Sequence, residues 1–360
     1  MNWYVVYLAL WIGGALLSAL FVRICISLAP KLGFVDMPLH EAHKRHKQST
    51  PVMGGLGMLC AWLAIIACGF FGRGMVAGLL PGDMHPFLAG VSSVKGTLGT
   101  IVLGAVLVTG LGMADDRKAM SALPKFLGQA VVAGLTAALG LRISFLHAIP
   151  GANWVVTVLW IMTLMNAMNF FDNMDGLAGG ASVLAAFFML FVAAYRCQFF
   201  VAALAALTGG VATGFLIWNA PPARLFMGDG GSHFLGYTLA ILGVMTTFYQ
   251  TGESLTPAPI LIPLLALGVP LADAVAVVVI RLRLGVPIYK GDNRHISHRF
   301  AALGLSRPKS VLLVLLLCFI VGVASLTLLW LPPAGAFLII SLVAAVFAVI
   351  SIIQFYVPKE

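Results

Sequence analysis

Three short segments of this otherwise apolar chain hold closely spaced carboxylates, the side chains that bind divalent cations and move protons. The acidic residues concerned are Asp115, Asp116, Asp172, Asp175 and Asp229. The chain has 12 acidic residues among 360, so these three segments are rich in a scarce residue type. Adjacent carboxylates repel each other unless a cation, a proton or a basic group balances them. The segments therefore predict a site for a metal ion or a phosphate compound, although a charge cluster at a helix end could also explain the first pair.

The second acidic segment carries polar side chains at a strict three-residue step, at Asn166, Asn169, Asp172 and Asp175. Residues i and i+3 are neighbours on an α-helix, so we expect the two asparagines to pair, and the two aspartates likewise. Gly176 then marks a place where the helix stops or bends. Polar groups this close to hydrocarbon are costly and are functional by default. An interhelical hydrogen-bond cluster is the alternative interpretation.

The third acidic segment reads Gly228-Asp229-Gly230-Gly231. Without side chains at the glycines, backbone amides can approach an anion while the carboxylate reaches a cation, which suits a diphosphate with its Mg²⁺. Hard oxygen ligands of this kind select Mg²⁺ or Mn²⁺. A glycine-rich turn between two helices is the alternative, because such triplets are common in loops.

Basic side chains supply the complementary charge. His295 and His298 stand three residues apart with Arg299 directly after them. That spacing could bind zinc, but a third soft ligand is not near in sequence, so we favour hydrogen-bond donation to phosphate. A solvated basic loop is the alternative interpretation. Lys125 is either a phosphate ligand or a topology anchor, and Asp273, alone inside an apolar stretch, is a helix-packing hydrogen bonder or a coupling site.

The composition assigns the chain to the membrane. Hydrophobic residues make up 61% of it, charged residues 9%, and the mean hydropathy is +1.03. A soluble domain of this size could not bury so much apolar surface, so we expect an all-α, polytopic integral membrane protein that forms a single domain over residues 1–360. About 10 or 11 apolar stretches are long enough to cross a bilayer. They run approximately over 3–28, 53–71, 98–114, 123–141, 154–170, 177–194, 199–218, 234–248, 260–280, 311–331 and 334–356.

The distribution of Lys and Arg predicts the topology. With the N-terminus outside, 17 of the 21 basic residues fall on cytoplasmic flanks, and all polar segments lie on that same face. The basic residues left outside are Arg73, Lys95, Arg142 and Arg196. The net charge of +9 is thus a topology signal with attraction to anionic headgroups and phosphates. Nucleic acid is excluded as a partner, since the chain has no basic soluble domain.

The order and content of the polar segments resemble the polyprenyl-phosphate N-acetylhexosamine-1-phosphate transferase family, which is glycosyl transferase family 4. The matching segments are Thr50–Gly55, Gly112–Asp116 with Lys125, Asn166–Gly176, Pro222–Ser232 and Asp292–His298. The resemblance implies a multi-pass enzyme of the inner (cytoplasmic) membrane, with its active site on the cytoplasmic face. In that family a polyprenyl (undecaprenyl) phosphate attacks the β-phosphate of a UDP-N-acetyl amino sugar, and UMP is released.

The resemblance also implies residue roles. Asp229 and Asn169 match positions that hold Mg²⁺ on the diphosphate, with Mn²⁺ as a substitute. Asp115 is the candidate base, supported by Asp116. His295 and His298 are expected to engage the diphosphate or the sugar. The substrate-binding residues implied are Lys47, Thr50, Lys125, Asn166, Asp172, Asp175 and Arg299. A covalent phospho-enzyme and a direct attack would both use this inventory.

One departure from the family pattern bears on the sugar. Relatives often read His-x-His-His in this segment. Here Ser297 stands in place of the middle histidine, between His295 and His298, and Arg299 follows. This favours UDP-N-acetylglucosamine and an initiating transferase for an envelope glycan such as O-antigen over the phospho-N-acetylmuramoyl-pentapeptide transferase of peptidoglycan synthesis. A cation-coupled secondary transporter is the alternative from another class, and it predicts acids near mid-membrane. A monomer and a homodimer are both compatible with the sequence.

Overall fold

A computed structural model describes residues 3–36, 49–72, 93–144, 149–250, 252–289 and 293–356. The described chain is nearly all-α. In chain order the helices are α1 (Trp3–Leu32), α2 (Gly54–Phe71), α3 (Lys95–Arg117), α4 (Ala122–Ala138), α5 (Ala152–Phe171), α6 (Leu177–Tyr195), α7 (Phe199–Asn219), α8 (Gly228–Met245), a 3₁₀ turn (Ala258–Leu261), α9 (Ile262–Ala266), α10 (Gly268–Arg283), α11 (Ile296–Ala302), α12 (Arg307–Thr327) and α13 (Pro333–Tyr356).

The described chain also contains one small sheet, which the all-α prediction did not include. Strands β1 (Val35–Asp36) and β2 (Thr50–Pro51) pair antiparallel, with Asp36 opposite Thr50. Two-residue strands carry no periodic signal, because alternation shows only over about four to eight residues. Residues 37–48, between the two strands in sequence, are outside the described residues, and the predicted ligand Lys47 is one of them.

The helices are those of a multi-pass membrane protein. Within the described ranges eight of them are long and apolar enough to cross a membrane, and a bent pair, Ala258–Ala266 with Gly268–Arg283, makes a ninth. The two parts of that pair meet at 69°. Each of the eleven predicted stretches contains a helix, but α4 has only 17 residues and the first turn of α8 is polar. The count of eleven and the orientation of the chain stay predictions.

Small residues let the helices approach closely. Along α7, a side chain at Gly210 or Gly214 would overlap the backbone of α1 at Trp11 or Ala15. Ser18 of α1 donates a hydrogen bond to the Val211 carbonyl oxygen of α7 at 2.7 Å. Lipid tails are as apolar as the side chains, so helix pairs in membranes depend on this close packing and on interhelical hydrogen bonds. Helices α1 and α7 are therefore closely packed against each other.

Helix α8 lies at the centre of the bundle. Its middle residues Phe234, Tyr237 and Leu239 are completely buried, and it packs against α2, α3, α5, α6 and α7. The indole of Trp160 in α5 donates to the Ala240 carbonyl oxygen at 3.1 Å. Because α8 is enclosed on all sides, the position of its first residues is fixed by the whole bundle. Asp229 is one of those residues.

Candidate active site

An ammonium group lies between two carboxylates at one end of the bundle. Lys125, in the first turn of α4, places its Nζ 2.8 Å from Asp115 Oδ2 of α3 and in contact with Asp229 Oδ2 of α8. The three side chains are 18%, 13% and 25% exposed, so each is partly open to solvent. Asp115 also accepts the backbone N–H of Met120 at 2.5 Å. Opposite charges this close stabilise each other's ionised forms, and the cluster joins three helices.

The adjacent carboxylate, Asp116, has different partners. Its Oδ1 accepts the backbone N–H of Asp229 at 2.7 Å and its Oδ2 accepts that of Gly230 at 3.1 Å. These amides open α8, and the first N–H groups of a helix have no intrahelical acceptor. A carboxylate is favoured there by the helix dipole as well. Asp116 thus fixes the backbone that carries Asp229, while Asp115 contacts the cation.

The predicted metal pair is in contact. Asn169, near the end of α5, donates from Nδ2 to Asp229 Oδ1 at 2.6 Å and to Ser232 Oγ at 3.0 Å. Asn166, one turn earlier, instead donates to Gln129 Oε1 of α4 at 2.6 Å. The two asparagines lie one turn apart on α5, as expected, but each amide donates to a partner on another helix. For Asn166 the contacts match the interhelical hydrogen-bond alternative.

The expected helical pairing of Asp172 with Asp175 is wrong, because α5 ends at Phe171 and not at Gly176. Asp172 follows the last helical residue, and Asp175 lies in a turn where it accepts the backbone N–H of Ala223 at 3.0 Å. Burial raises the pKa of Asp172 to about 8, with smaller contributions from the negative charges of Asp229, Asp116 and Asp175. Asp172 therefore lies in the electrostatic field of the cluster's carboxylates.

Two polar segments that are far apart in sequence meet through their backbones. Phe226 N donates to the Pro51 carbonyl oxygen at 2.9 Å, and Gly55 N donates to that of Met227 at 3.0 Å. A side chain at Gly55 would overlap the backbone of Gly231. The glycines of the Thr50–Gly55 segment thus serve close approach to the Asp229 turn. Thr50 itself lies in β2, and its predicted substrate contact stays a prediction.

The histidine segment is buried, which contradicts the alternative of a solvated basic loop. His295 is 4% exposed, and His298 and Arg299 are 5% exposed. Ser297 Oγ donates to Asn173 Oδ1 at 2.5 Å, so the segment touches the turn after α5. The imidazole of His295 also meets the edge of the Phe170 ring, with centroids 6.3 Å apart. The structure therefore brings the histidines beside the second acidic segment.

Several residues of the site escaped the sequence interpretation. Gln129 links Asn166 to His233, with 3.0 Å between its Nε2 and His233 Nε2. Asn219, at the end of α7, accepts the backbone N–H of Gly176 and donates to the Leu225 carbonyl oxygen, each at 2.9 Å. For Asp273, which the sequence left as a helix-packing hydrogen bonder or a coupling site, only the partner was missed, since it accepts a hydrogen bond from His295. Gln129 and Asn219 do carry a signal, since an amide inside an apolar stretch needs a buried partner.

The donor chemistry of the cluster fits a divalent cation. Among the residues that the structure describes, no group of three His, Cys, Asp or Glu side chains forms a metal-ligating arrangement. Mg²⁺ nevertheless binds phosphate sites through one or two carboxylates plus substrate oxygens. Asp115 and Asp229 offer such carboxylates, and the ammonium of Lys125 between them shows that a positive charge is accommodated there. Asp229 and the adjacent Asn169 thus carry oxygen atoms of the type that Mg²⁺ binds, and their metal role stays a prediction.

Comparison with known proteins now defines the class. Residues 98–247, which include Asp115, Lys125, Asn169 and Asp229, match the model of glycosyl transferase family 4. The probable undecaprenyl-phosphate N-acetylglucosaminyl 1-phosphate transferase of Bacillus subtilis (strain 168) is 32% identical over 340 residues, which is 91% of this chain and 87% of the relative. The chain therefore belongs to glycosyl transferase family 4, as its polar segments predict.

Two further relatives span the family. The decaprenyl-phosphate N-acetylglucosaminephosphotransferase of Mycobacterium tuberculosis (strain ATCC 25618 / H37Rv) is 28% identical over 338 residues, covering 85% of this chain and 78% of the relative. The phospho-N-acetylmuramoyl-pentapeptide-transferase of Geobacillus kaustophilus (strain HTA426) is 31% identical over 247 residues, covering 64% of this chain and 72% of the relative. The two N-acetylglucosamine enzymes thus match a larger share of this chain than the muramoyl enzyme does.

The packing of α3 against the Asp229 turn gives a test of the site's architecture. A side chain at Gly112 would overlap the Asp229 carbonyl and the Gly230 nitrogen, whereas one at Gly110 meets nothing within 4 Å. Gly112→Ala should destabilise the detergent-purified protein by about 1–3 kcal/mol, because backbone atoms cannot move aside cheaply. Gly110→Ala, on the same helix, should be neutral or slightly stabilising. Thermal unfolding monitored by circular dichroism measures both, and equal midpoints would contradict the packing argument.

Proposed function

We propose that this protein transfers N-acetylglucosamine 1-phosphate from UDP-N-acetylglucosamine to a polyprenyl phosphate of the undecaprenyl class, releasing UMP. The product is a polyprenyl-diphospho-sugar that initiates an envelope glycan. The observation that carries the proposal is the cluster of Lys125 between Asp115 and Asp229. The cluster lies inside the stretch that matches the family model, in a chain whose bacillary and mycobacterial relatives are named for this sugar and for polyprenyl acceptors.

The site has the charges that this reaction needs. Phosphoryl transfer requires little covalent help from the protein, and its catalysis is mostly positioning and neutralisation of charge on the phosphate oxygens. Lys125 contacts two of the carboxylates, and the histidine segment, which reaches the turn after α5 through Ser297 and Asn173, adds the buried guanidinium of Arg299. A site with paired acids and several cations binds a diphosphate and still retains a base.

Within this proposal the two adjacent aspartates have separate roles. Asp115 is partly exposed, with one oxygen on Lys125 and the other on the backbone N–H of Met120, and in this proposal it prepares the lipid phosphate as base or nucleophile. Asp116 holds the start of α8 and so places Asp229. Mg²⁺, or Mn²⁺ in its place, when bound at Asp229 with Asn169, supplies charge neutralisation to the diphosphate of the donor. Lys125 binds a donor phosphate in this proposal, once Asp229 holds the metal ion and Asp115 faces the lipid phosphate.

We place the active site at the cytoplasmic face of the inner membrane, with the N-terminus outside. The alternation of the helices supports this. Asp115 lies at the end of α3, Lys125 at the start of α4, Asn169 at the end of α5 and Asp229 at the start of α8. Successive antiparallel helices thus deliver their polar residues to one end of the bundle, where the excess of Lys and Arg marks the cytoplasmic side. A lipid acceptor explains why the catalyst is built inside the bilayer.

We expect purified protein to release UMP from UDP-N-acetylglucosamine only with polyprenyl phosphate and Mg²⁺ present. Asp229→Asn and Asp115→Asn should each lower kcat by about 100-fold or more, because each removes a charge from the reacting centre. Glu253→Gln is the matched control, since this exposed carboxylate pairs with Arg196 away from the cluster. Near-normal turnover in both aspartate variants would refute the site, and Glu253→Gln should keep full activity.

A panel of UDP-sugars tests the donor. Ser297 donates to Asn173 and carries no charge, so we expect the site to take the small N-acetylhexosamine donor and not a peptide-bearing one. UMP release should therefore be at least about tenfold faster with UDP-N-acetylglucosamine than with UDP-N-acetylmuramoyl-pentapeptide, which corresponds to about 1.4 kcal/mol. The reverse preference would assign the protein to the muramoyl branch.

A further inference from the structure

Asp273 is a completely buried carboxylate that the proposed reaction has not used. It lies in α10, and its side chain is 1% exposed. Three groups point hydrogen-bond donors at it. His295 Nδ1 is 2.6 Å from its Oδ2, while Ile296 N at 2.8 Å and Gln354 Nε2 at 2.6 Å donate to its Oδ1. A buried carboxylate is tolerated when it is hydrogen-bonded this fully.

Two of the three donors belong to the start of α11. The carboxylate therefore accepts two hydrogen bonds from the histidine segment, one from the backbone N–H of Ile296 and one from the imidazole of His295. When one ring nitrogen of a histidine donates to a carboxylate, the proton stays on that nitrogen and the ring is fixed in orientation. The opposite nitrogen, Nε2, then acts as the acceptor or the proton carrier toward a substrate.

The third donor comes from the last helix. Gln354 lies in α13, is completely buried, and donates its amide to Asp273 across 81 positions of sequence. Its Oε1 has no hydrogen-bond partner among the described residues, so the bond to Asp273 is what orients this amide. The final helix thus contributes a side chain to the support of His295, although it carries none of the predicted site residues.

We propose that Asp273 is a positioning residue that fixes His295 with its Nε2 directed at the substrate, and that Gln354 holds Asp273 in place for this task. The proposal rests on the proposed function, because it assigns His295 to the transfer reaction. His295 already stands against Phe170, the neighbour in sequence of Asn169. An oriented imidazole there serves a diphosphate bound at Asn169 and Asp229.

Kinetics of single and double variants test the assignment. Asp273→Asn should lower kcat about 10- to 100-fold with KM for the UDP-sugar little changed, because supporting partners of catalytic histidines have effects of this size. Asp273→Glu, which keeps the carboxylate, should recover part of the loss. The variant that combines Asp273→Asn with His295→Gln should be no slower than His295→Gln alone. Fold-losses that multiply would mean that Asp273 acts independently of His295 and would overturn the proposal.

Gln354→Met tests the contribution of the final helix with a residue of similar shape that cannot donate. We expect kcat to fall about threefold to tenfold, less than for Asp273→Asn, because the charge remains. Gln198→Met is the matched control, since that amide donates to Met245 and Thr247 at the end of α8 opposite to Asp229. Equal activity of the two glutamine variants would overturn the role of Gln354.

Nitrogen NMR of protein labelled with ¹⁵N-histidine separates this proposal from the proposed function, since it requires no turnover. The chain has eight histidines, and His295→Gln assigns the signal. A protonated Nδ1 on His295 that is lost in Asp273→Asn supports the positioning role even if UMP release fails. An unchanged His295 signal in Asp273→Asn would overturn it even if the transferase activity is found.

Discussion

The ion cluster of Asp115, Lys125 and Asp229 ties three helices together at one end of the bundle. Two carboxylates cannot stay ionised side by side at the edge of an apolar bundle without a cation between them. Lys125 provides that cation, so α3, α4 and α8 must meet at one end with fixed spacing. In the proposed function the same charges also bind the metal ion and the phosphates of the substrates.

Backbone contacts give the cluster its rigidity. Asp116 binds the first amides of α8, and the glycines at 55 and 112 let two other segments approach that turn without side chains between them. The position of Asp229 is therefore fixed through its backbone, and its side-chain carboxylate is not needed for that purpose. The two adjacent aspartates therefore have different contacts, since Asp116 supports the start of α8 and Asp115 contacts Lys125.

The histidine segment depends on a second polar centre, built around Asp273. Its carboxylate joins α10, α11 and α13, and Ser297 then connects the same segment to Asn173 after α5. An isolated acid within an apolar helix would support a transporter, but this acid is paired with a histidine of the site. The carboxylates of the polar segments and the partner of His295 thus belong to one functional end of the molecule, which agrees with membership of a family of membrane transferases.

Composition and the order of the scarce polar side chains were enough to predict the class of protein, its membrane setting and a set of candidate site residues, because neither depends on folding. Asp115, Lys125, Asn169 and Asp229 were all predicted from residue type and order. The tertiary structure decided which of them touch. Helical periodicity predicted that Asn166 and Asn169 are neighbours. Their amides donate to Gln129 of α4 and Asp229 of α8, because a buried amide bonds to whichever partner the packing supplies. Likewise, the hydrogen bond that joins Asp273 to His295 spans 22 positions of sequence, and only the folded chain brings the start of α11 to the side chain of Asp273.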